Sequence, residues 1–185
     1  MSVRKILTKN KTTEVIKMKK SKTRDIAVGG LIAALYAVLT YVAAAFGLAY
    51  GPVQFRFSEA LTILPVFTPA AIPGLTIGCL IANLGSFNAI DLLFGTAATL
   101  LSAISTRALR NVKFKGVPWL APLPPVIFNA VLVGLEISIF YLDGFTAAGF
   151  IISALEVGLG QLAVCYCLGL PLYFVLKKKD NLNSR

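Results

Sequence analysis

The stretch GPVQFRFSEALTILP, residues 51–65, places Gln54, Arg56 and Glu59 between two strongly apolar segments. Two aromatic residues, Phe55 and Phe57, alternate with these polar groups. Polar groups are costly at membrane depth and usually serve a ligand or a transport path. We therefore interpret this stretch as the edge of a small-molecule site, which requires that the flanking segments lie in a membrane.

The composition is that of an integral membrane protein. Hydrophobic residues make up 57% of the chain and charged residues only 14%, whereas soluble domains are roughly 45–50% apolar and about 25% charged. The net charge is +10, but nine of the 18 basic residues precede Asp25, and most others flank apolar segments. Cytoplasmic loops of membrane proteins have this distribution, so we expect a lipid bilayer and no nucleic acid as partner.

Motifs for chemistry are missing from the sequence. It contains no histidine, and Cys79, Cys165 and Cys167 lie in apolar segments without CxxC spacing. Histidine is the most common metal ligand and acid–base group, and the HExxH, Walker A and nucleophile-elbow patterns are absent as well. We therefore predict no enzymatic activity, no cofactor and no metal, and any ATP-driven work would come from another chain.

Six apolar segments predict an all-α integral membrane protein with six transmembrane helices. They comprise residues 26–46, 58–67, 75–84, 91–108, 126–142 and a last segment that ends at residue 176. A helix of about 20 residues crosses a hydrocarbon core of about 30 Å. The second segment is short by that measure, so it is expected to begin above the membrane, tilt or re-enter.

The charges and prolines suggest how these segments are arranged. We predict a basic cytoplasmic tail at 1–24, a six-helix membrane domain at 25–177 and a cytoplasmic tail at 178–185. Two crossings, or a re-entrant pair, in the short segments keep basic residues 107–115 on the side of the termini. The prolines of residues 118–125 disfavour a regular helix there. The expected protein is multi-pass, in the cell membrane, with both termini cytoplasmic.

Four acidic residues are expected in the outer half of the membrane, each on a different segment: Glu59, Asp91, Glu136 and Glu156. One ionised side chain at bilayer depth costs about 2.5–3.5 kcal/mol, so a shared water-filled cavity explains all four together. Other interpretations stay open. Glu59 could pair with Arg56, Asp91 could cap its helix, and Glu156 could be solvated at the interface.

Neutral polar and aromatic residues complete the candidate site. Phe94 follows Asp91 by one helical turn and could stack on a ligand or pack in the core, and Gln161 could serve the pocket or bond another helix. The predicted substrate-binding residues are Gln54, Phe55, Arg56, Glu59, Asn88, Asp91, Phe94, Glu136, Glu156 and Gln161.

The first segment carries small residues at intervals of four, namely Gly29, Ala33 and Ala37, with Gly30 and Ala34 beside them. Such a face lets a second helix approach closely. The face could pack inside the bundle or dock onto a partner subunit, and we predict Gly29, Ala33 and Ala37 as partner-docking residues.

Several passages resemble the QueT family, the substrate-binding (S) components of energy-coupling factor (ECF) transporters for queuosine precursors. They are LIAALYAVLT (31–40), GPVQFRFSEALTILPVFTPAAIPGLTIGCLIANL (51–84), DLLFGTAATLLSA (91–103), WLAPLPPVIFNAVLVGLE (119–136) and VGLGQLAVCYCLGLPL (157–172). The second passage is the most specific.

The resemblance implies an S-component-like bundle of six helices that captures its substrate outside. It also implies a membrane-embedded coupling subunit and two ATPase subunits as partners, with Ala33 and Ala37 matching the small-residue motif that contacts the coupling subunit. The implied ligand, a 7-deazaguanine, presents adjacent N–H donors that a carboxylate can accept. Alternatives are an S component for another nutrient, such as a cationic vitamin, and a membrane enzyme acting on a lipid.

Overall fold

The computed structural model of the chain describes residues 3–49, 54–86, 89–142 and 144–183, with side chains from residue 22 to residue 179. Within these ranges the regular structure is helical, apart from one isolated β-bridge. The main elements are α1 (Val3–Ala45), a central 3-10 helix (Phe57–Val66), α2 (Ala71–Asn83), α3 (Ala89–Ala108), α4 (Leu123–Phe140), α5 (Ala147–Val164) and α6 (Leu170–Asn183). A π-helical turn, Cys165–Gly169, joins α5 directly to α6.

Four helical stretches in the described part of the chain are long and apolar enough to cross a membrane. They are Lys22–Ala45, Ala89–Asn111, Leu123–Phe140 and Ala147–Lys179. The central 3-10 helix and Ala71–Ser86 are apolar but shorter. Large apolar side chains such as Leu31, Leu155 and Leu159 are exposed, as a lipid-facing surface requires. The predicted all-α membrane bundle is confirmed, and six complete crossings stay a prediction.

Helix boundaries differ from the predicted segments, and the prediction that residues 118–125 lack a regular helix is wrong at its end, because α4 begins at Leu123 and includes Pro124 and Pro125 in its first turn, where proline is tolerated. The backbone of α1 is helical back to Val3, so the basic N-terminal stretch continues the first helix. Helix α2 begins at Ala71 and includes Pro73 in its first turn, where the N–H that proline lacks would have no intrahelical acceptor. At the other end, α6 continues past Lys177 to Asn183, so no helix end marks the predicted boundary at 178.

The central 3-10 helix lies in the middle of the bundle, packed against α1, α3, α6 and the π-helical turn. Most of its residues are buried, including three polar ones. Thr40 of α1 donates a hydrogen bond to Ser58 Oγ at 2.7 Å. At the opposite end, Arg107 of α3 donates to the carbonyl oxygens of Pro65 and Val66 at 2.9 and 3.2 Å. The central 3-10 helix, which is the second predicted segment, is thus hydrogen-bonded to neighbouring helices at both ends.

Helices α1 and α2 approach each other through small residues. A Cβ added at Gly78 would lie 2.7 Å from Tyr36 Cβ and 2.8 Å from the Ala33 carbonyl oxygen. Such distances are far inside van der Waals contact, so only glycine fits at this position. The close contact fixes which face of α1 looks into the bundle.

The predicted partner-docking residues Gly29, Ala33 and Ala37 lie on that inward face and are buried. Their burial favours the packing interpretation, and their role in docking stays a prediction. The small residues one position further on, Gly30 and Ala34, are exposed instead. An added Cβ at Gly30 would meet nothing within 4 Å. Gly30 and Ala34 each follow a buried small residue by one position, so the exposed set lies about 100° further around the axis of α1 than the buried set.

Candidate substrate pocket

A pocket of about 450 Å³ opens at one end of the bundle. It lies where α3 begins, α4 ends and α5 begins, beside the segment that precedes the central 3-10 helix. The lining residues are Gln54, Arg56, Asp91, Gly95, Val133, Glu136, Ile137, Tyr141, Leu142, Ile152, Ser153 and Glu156. Small-molecule sites have volumes of roughly 300–1,000 Å³ and combine apolar walls with a few converging polar groups, and this pocket has both properties.

Arg56 is the basic residue of the pocket, and the protein holds it firmly. Its side chain is 6% exposed. The Nε group donates to the Ala49 carbonyl oxygen at 3.0 Å, and Nη1 donates to Asn83 Oδ1 at 2.9 Å. Asn83 in turn donates from Nδ2 to the Asp91 carbonyl oxygen at 3.0 Å. This chain of hydrogen bonds connects the residues before the central 3-10 helix to α2 and α3, so the guanidinium has a fixed position.

Three acidic side chains share the pocket with Arg56. Asp91, in the first turn of α3, accepts a hydrogen bond from the Tyr141 hydroxyl at 2.8 Å. Glu136 enters the same space from α4. Glu156 enters from α5. Carboxyl groups from three helices therefore converge on one space, as expected from the cost of burying them separately.

Glu136 has a carboxyl oxygen without a hydrogen-bond partner, as does Glu59 outside the pocket lining. Glu136 is 2% exposed, and its Oε1 has no hydrogen-bond partner among the described residues. Buried polar atoms in native proteins are nearly always paired, and leaving one unpaired costs about 1–3 kcal/mol. An unpaired carboxyl oxygen in the wall of a pocket is suited to accept a hydrogen bond from a ligand.

Gln54 forms the edge of the pocket, and α5 determines its position. A Cβ added at Gly160 would lie 2.6 Å from the Gln54 carbonyl oxygen. The backbone of residues before the central 3-10 helix can approach α5 so closely only because residue 160 has no side chain. The edge of the pocket is therefore set by backbone contact as well as by side chains.

The structure brings five of the ten predicted binding residues into the pocket lining: Gln54, Arg56, Asp91, Glu136 and Glu156. Four others lie outside that lining: Phe55, Glu59, Phe94 and Gln161. Asn88 falls outside the described residues.

Two of the four side chains outside the lining, Glu59 and Gln161, are buried in the bundle. Glu59 accepts a hydrogen bond from the Tyr36 hydroxyl of α1. Phe94 is half-buried, and its ring meets the ring of the exposed Phe140 edge-on, with centroids 6.2 Å apart. Gln161 is buried, and its Oε1 lies 3.7 Å from Cys165 Sγ in the next helical turn. Five of the predicted residues therefore line the pocket and four do not, and their roles in binding stay predictions.

Sequence reasoning missed Tyr141 and Ser153. Ser153 is buried and lies three residues before Glu156, on the same face of α5, so helical periodicity could have found it. Tyr141 follows the last residue of α4 and is the aromatic residue of the pocket lining. It belonged to an apolar segment and gave no separate signal.

In the described side chains, no three His, Cys, Asp or Glu residues group as a metal site would require.

These features define a helical membrane protein with a polar pocket for a small molecule at one end. The chain belongs to the QueT transporter family, whose match extends over residues 26–178 and includes every residue that lines the pocket. It is therefore a member of a family of membrane transporters, as the sequence passages indicated, and this is not a family of enzymes.

One relative is the queuosine precursor transporter QueT of Lactococcus lactis subsp. cremoris strain MG1363. The two sequences are 44% identical over 84 residues, which is 45% of this chain and 50% of the relative. The chain thus matches about half the length of that protein. No solved structure matches the chain.

Proposed function

We propose that this chain is the substrate-binding component of an ATP-driven importer of the ECF type, and that it captures a queuosine precursor, a 7-deazaguanine, from outside. The observation that carries the proposal is the pocket, in which an unpaired oxygen of buried Glu136 lies among acidic groups and the anchored Arg56. Family membership and the name of the Lactococcus relative point to the same class of ligand.

The polar groups of the pocket match the edges of a 7-deazaguanine. The ring system presents two adjacent N–H donors, which a carboxylate can accept together, and Glu136 and Glu156 are the candidate acceptors. The ring carbonyl is an acceptor of the kind that arginine binds in guanine, and Arg56 supplies the donor. The Tyr141 ring offers a stacking surface, since base–aromatic stacking contributes about 1–3 kcal/mol.

The direct test is calorimetric titration of the purified full-length chain with 7-deazaguanines. Glu136→Gln keeps the shape of the side chain but replaces one carboxyl oxygen by an amide nitrogen, which cannot accept a hydrogen bond. A buried ligand donor left without its acceptor costs about 1–3 kcal/mol, so we expect binding to weaken about 5- to 100-fold. Asp25→Asn, a change of the same kind near the start of the apolar part of α1 (Lys22–Ala45) and outside the pocket lining, is the matched control and leaves binding unchanged.

The two parts of the proposal fail in different ways. If wild-type protein binds no 7-deazaguanine, the proposed substrate is wrong. If wild-type protein binds one and Glu136→Gln binds it equally well, the assignment of the site is wrong.

A cationic vitamin is the second candidate, because three carboxyl groups face one guanidinium in the pocket. Competition of thiamine, riboflavin and pyridoxine against a bound 7-deazaguanine separates the two candidates. Displacement by thiamine alone would favour the cationic vitamin, and no displacement by any of the three supports the deazaguanine.

We propose that the coupling subunit docks on the outward face of α1, where Gly30 and Ala34 are exposed between larger apolar residues. Small residues at this spacing let a second transmembrane helix approach closely. In the proposed complex the coupling subunit and two ATPase subunits supply the energy. The proposal replaces the docking role first assigned to Gly29, Ala33 and Ala37.

Substitution of Gly30 by leucine tests this surface. Open space around Gly30 means that Gly30→Leu leaves the bundle and ligand binding intact, while the bulky side chain blocks a closely packed partner. We expect loss of co-purification with the coupling subunit and loss of ATP-driven uptake. Leu31→Ala, next to it on α1 and also exposed, removes bulk instead of adding it and is the control. Normal uptake by Gly30→Leu would refute docking at this face.

A further inference from the structure

A basic and aromatic surface lies at the end of the bundle opposite the pocket. The loop between α3 and α4 leaves the C-terminal end of α3, whereas Asp91 of the pocket is in the first turn of that helix. We define the basic–aromatic patch as Lys113, Phe114, Lys115 and Trp119 of this loop together with Lys177 of α6. None of these residues lines the pocket, and the proposed function does not use them.

The loop that carries the patch has a defined conformation. Phe114 and Val117 exchange two backbone hydrogen bonds of 3.0 and 3.1 Å. Lys115 and Gly116 turn the chain between them, with φ of 51° and 80°. This is the left-handed conformation that two-residue hairpin turns need.

Two side chains of the last membrane span fasten the loop. Lys177 Nζ donates to the Gly116 carbonyl oxygen at 3.0 Å, and the Tyr166 hydroxyl donates to the Trp119 carbonyl oxygen at 3.0 Å. The patch is therefore held against the end of a helix that is long enough to cross the membrane, at the level where headgroups are expected.

The charge of the patch has one sign. The sequence has no acidic residue at positions 92–135 or 157–179, the two stretches that supply the patch and the helices beside it. Large aromatic side chains accompany this charge, with Phe114 68% exposed and Trp119 47% exposed. Lys115 Nζ lies 5.6 Å from the centroid of the Phe114 ring. Exposed aromatic rings beside lysines are typical of the membrane–water interface, where rings sit among headgroups and ammonium groups meet phosphates.

We propose that the basic–aromatic patch binds anionic phospholipid headgroups in preference to zwitterionic ones. The lysine ammonium groups meet the phosphate and its uncompensated charge, and Trp119 and Phe114 lie among the upper acyl chains. An acidic protein surface would satisfy the lysines but would leave these two exposed rings in a polar contact. The lipid therefore matches both parts of the patch.

Trp119 permits a direct test, because it is the single tryptophan of the chain. The full-length protein is reconstituted in phosphatidylcholine vesicles that contain a minor fraction of bromine-labelled phosphatidylglycerol or, separately, bromine-labelled phosphatidylcholine. Bromine quenches tryptophan fluorescence on contact. We expect stronger quenching by labelled phosphatidylglycerol at equal mole fraction, and sodium chloride should reduce the excess, because salt screens exposed charges.

Charge variants show whether the lysines cause the preference. A basic residue near an anionic surface changes lipid affinity up to about fivefold, so Lys113→Gln with Lys115→Gln should remove most of the excess quenching. Lys22→Gln, outside the patch, is the control and keeps it. Equal quenching of the wild type by both labelled lipids overturns the proposal, and is the outcome expected if an acidic protein occupies the patch. An excess that the double variant retains, or that salt does not change, overturns it as well.

Discussion

Replacement of Gly78 by alanine tests the contact that orients α1. The added methyl group would lie 2.7 Å from Tyr36 Cβ, 2.8 Å from the Ala33 carbonyl oxygen and 3.0 Å from Ala33 Cα. The last two are backbone atoms, which a side-chain rotation cannot move, so the helices must separate. Overpacking of this kind costs about 1–3 kcal/mol, and the better helix propensity of alanine returns at most about 1 kcal/mol.

We therefore expect Gly78→Ala to lower the free energy of unfolding by up to about 2 kcal/mol. A change of 1 kcal/mol shifts Tm by roughly 2–4 °C in a protein of this size, so the expected decrease is at most about 4–8 °C. Thermal unfolding of the purified protein in detergent, followed by far-UV circular dichroism, measures it.

Gly30→Ala is the matched control, because the same methyl group would meet nothing within 4 Å. We expect its Tm to be unchanged or slightly higher. A Tm decrease in Gly30→Ala that equals or exceeds that of Gly78→Ala would contradict the assignment of inward and outward faces. It would also contradict the docking surface proposed on α1.

Substitutions at three positions probe the pocket. Tyr141→Leu should weaken ligand binding about 5- to 100-fold through lost stacking. Tyr141→Phe keeps the ring but loses the hydrogen bond to Asp91, so it should bind ligand better than Tyr141→Leu. Equal loss of affinity in both variants by calorimetry would exclude stacking. Gly160→Ala should displace the Gln54 carbonyl oxygen and weaken ligand binding, while the circular dichroism spectrum stays unchanged. Wild-type affinity of this variant would show that the edge of the pocket at Gln54 does not contact the ligand. Arg56→Gln should lower thermal stability as well as affinity, because it removes a buried cation from acidic neighbours; a loss confined to affinity would contradict its anchoring role.

The sequence predicted the class of protein because composition and segment length report directly on the membrane. It also predicted the edge of the pocket, since Arg56, Asp91 and Glu136 are too polar to lie independently in lipid. These inferences depend on the cost of placing a residue type at a given depth. They do not depend on the detailed packing of the helices.

Helix rotation could not be predicted in the same way. Small residues occur on two adjacent faces of α1, and the positions of Gly74 and Gly78 on α2 select the inward one. Glu59 illustrates the same difficulty. The direction in which the Glu59 side chain points depends on the type of helix that its segment forms. A 3-10 helix turns about 120° per residue, whereas an α-helix turns about 100°. In the structure Glu59 meets Tyr36, while Arg56 lines the pocket.

The winding of the central 3-10 helix also determines how far it reaches. Ten residues, Phe57–Val66, span about 20 Å at the 3-10 rise of about 2.0 Å per residue, but only about 15 Å as an α-helix. Arg56 is hydrogen-bonded at one end of this helix, and the carbonyl oxygens bound by Arg107 lie at the other. Rewinding as α would shorten the segment by about 5 Å, and both attachments could not persist. The 3-10 conformation therefore determines the distance between the pocket and the opposite end of the bundle.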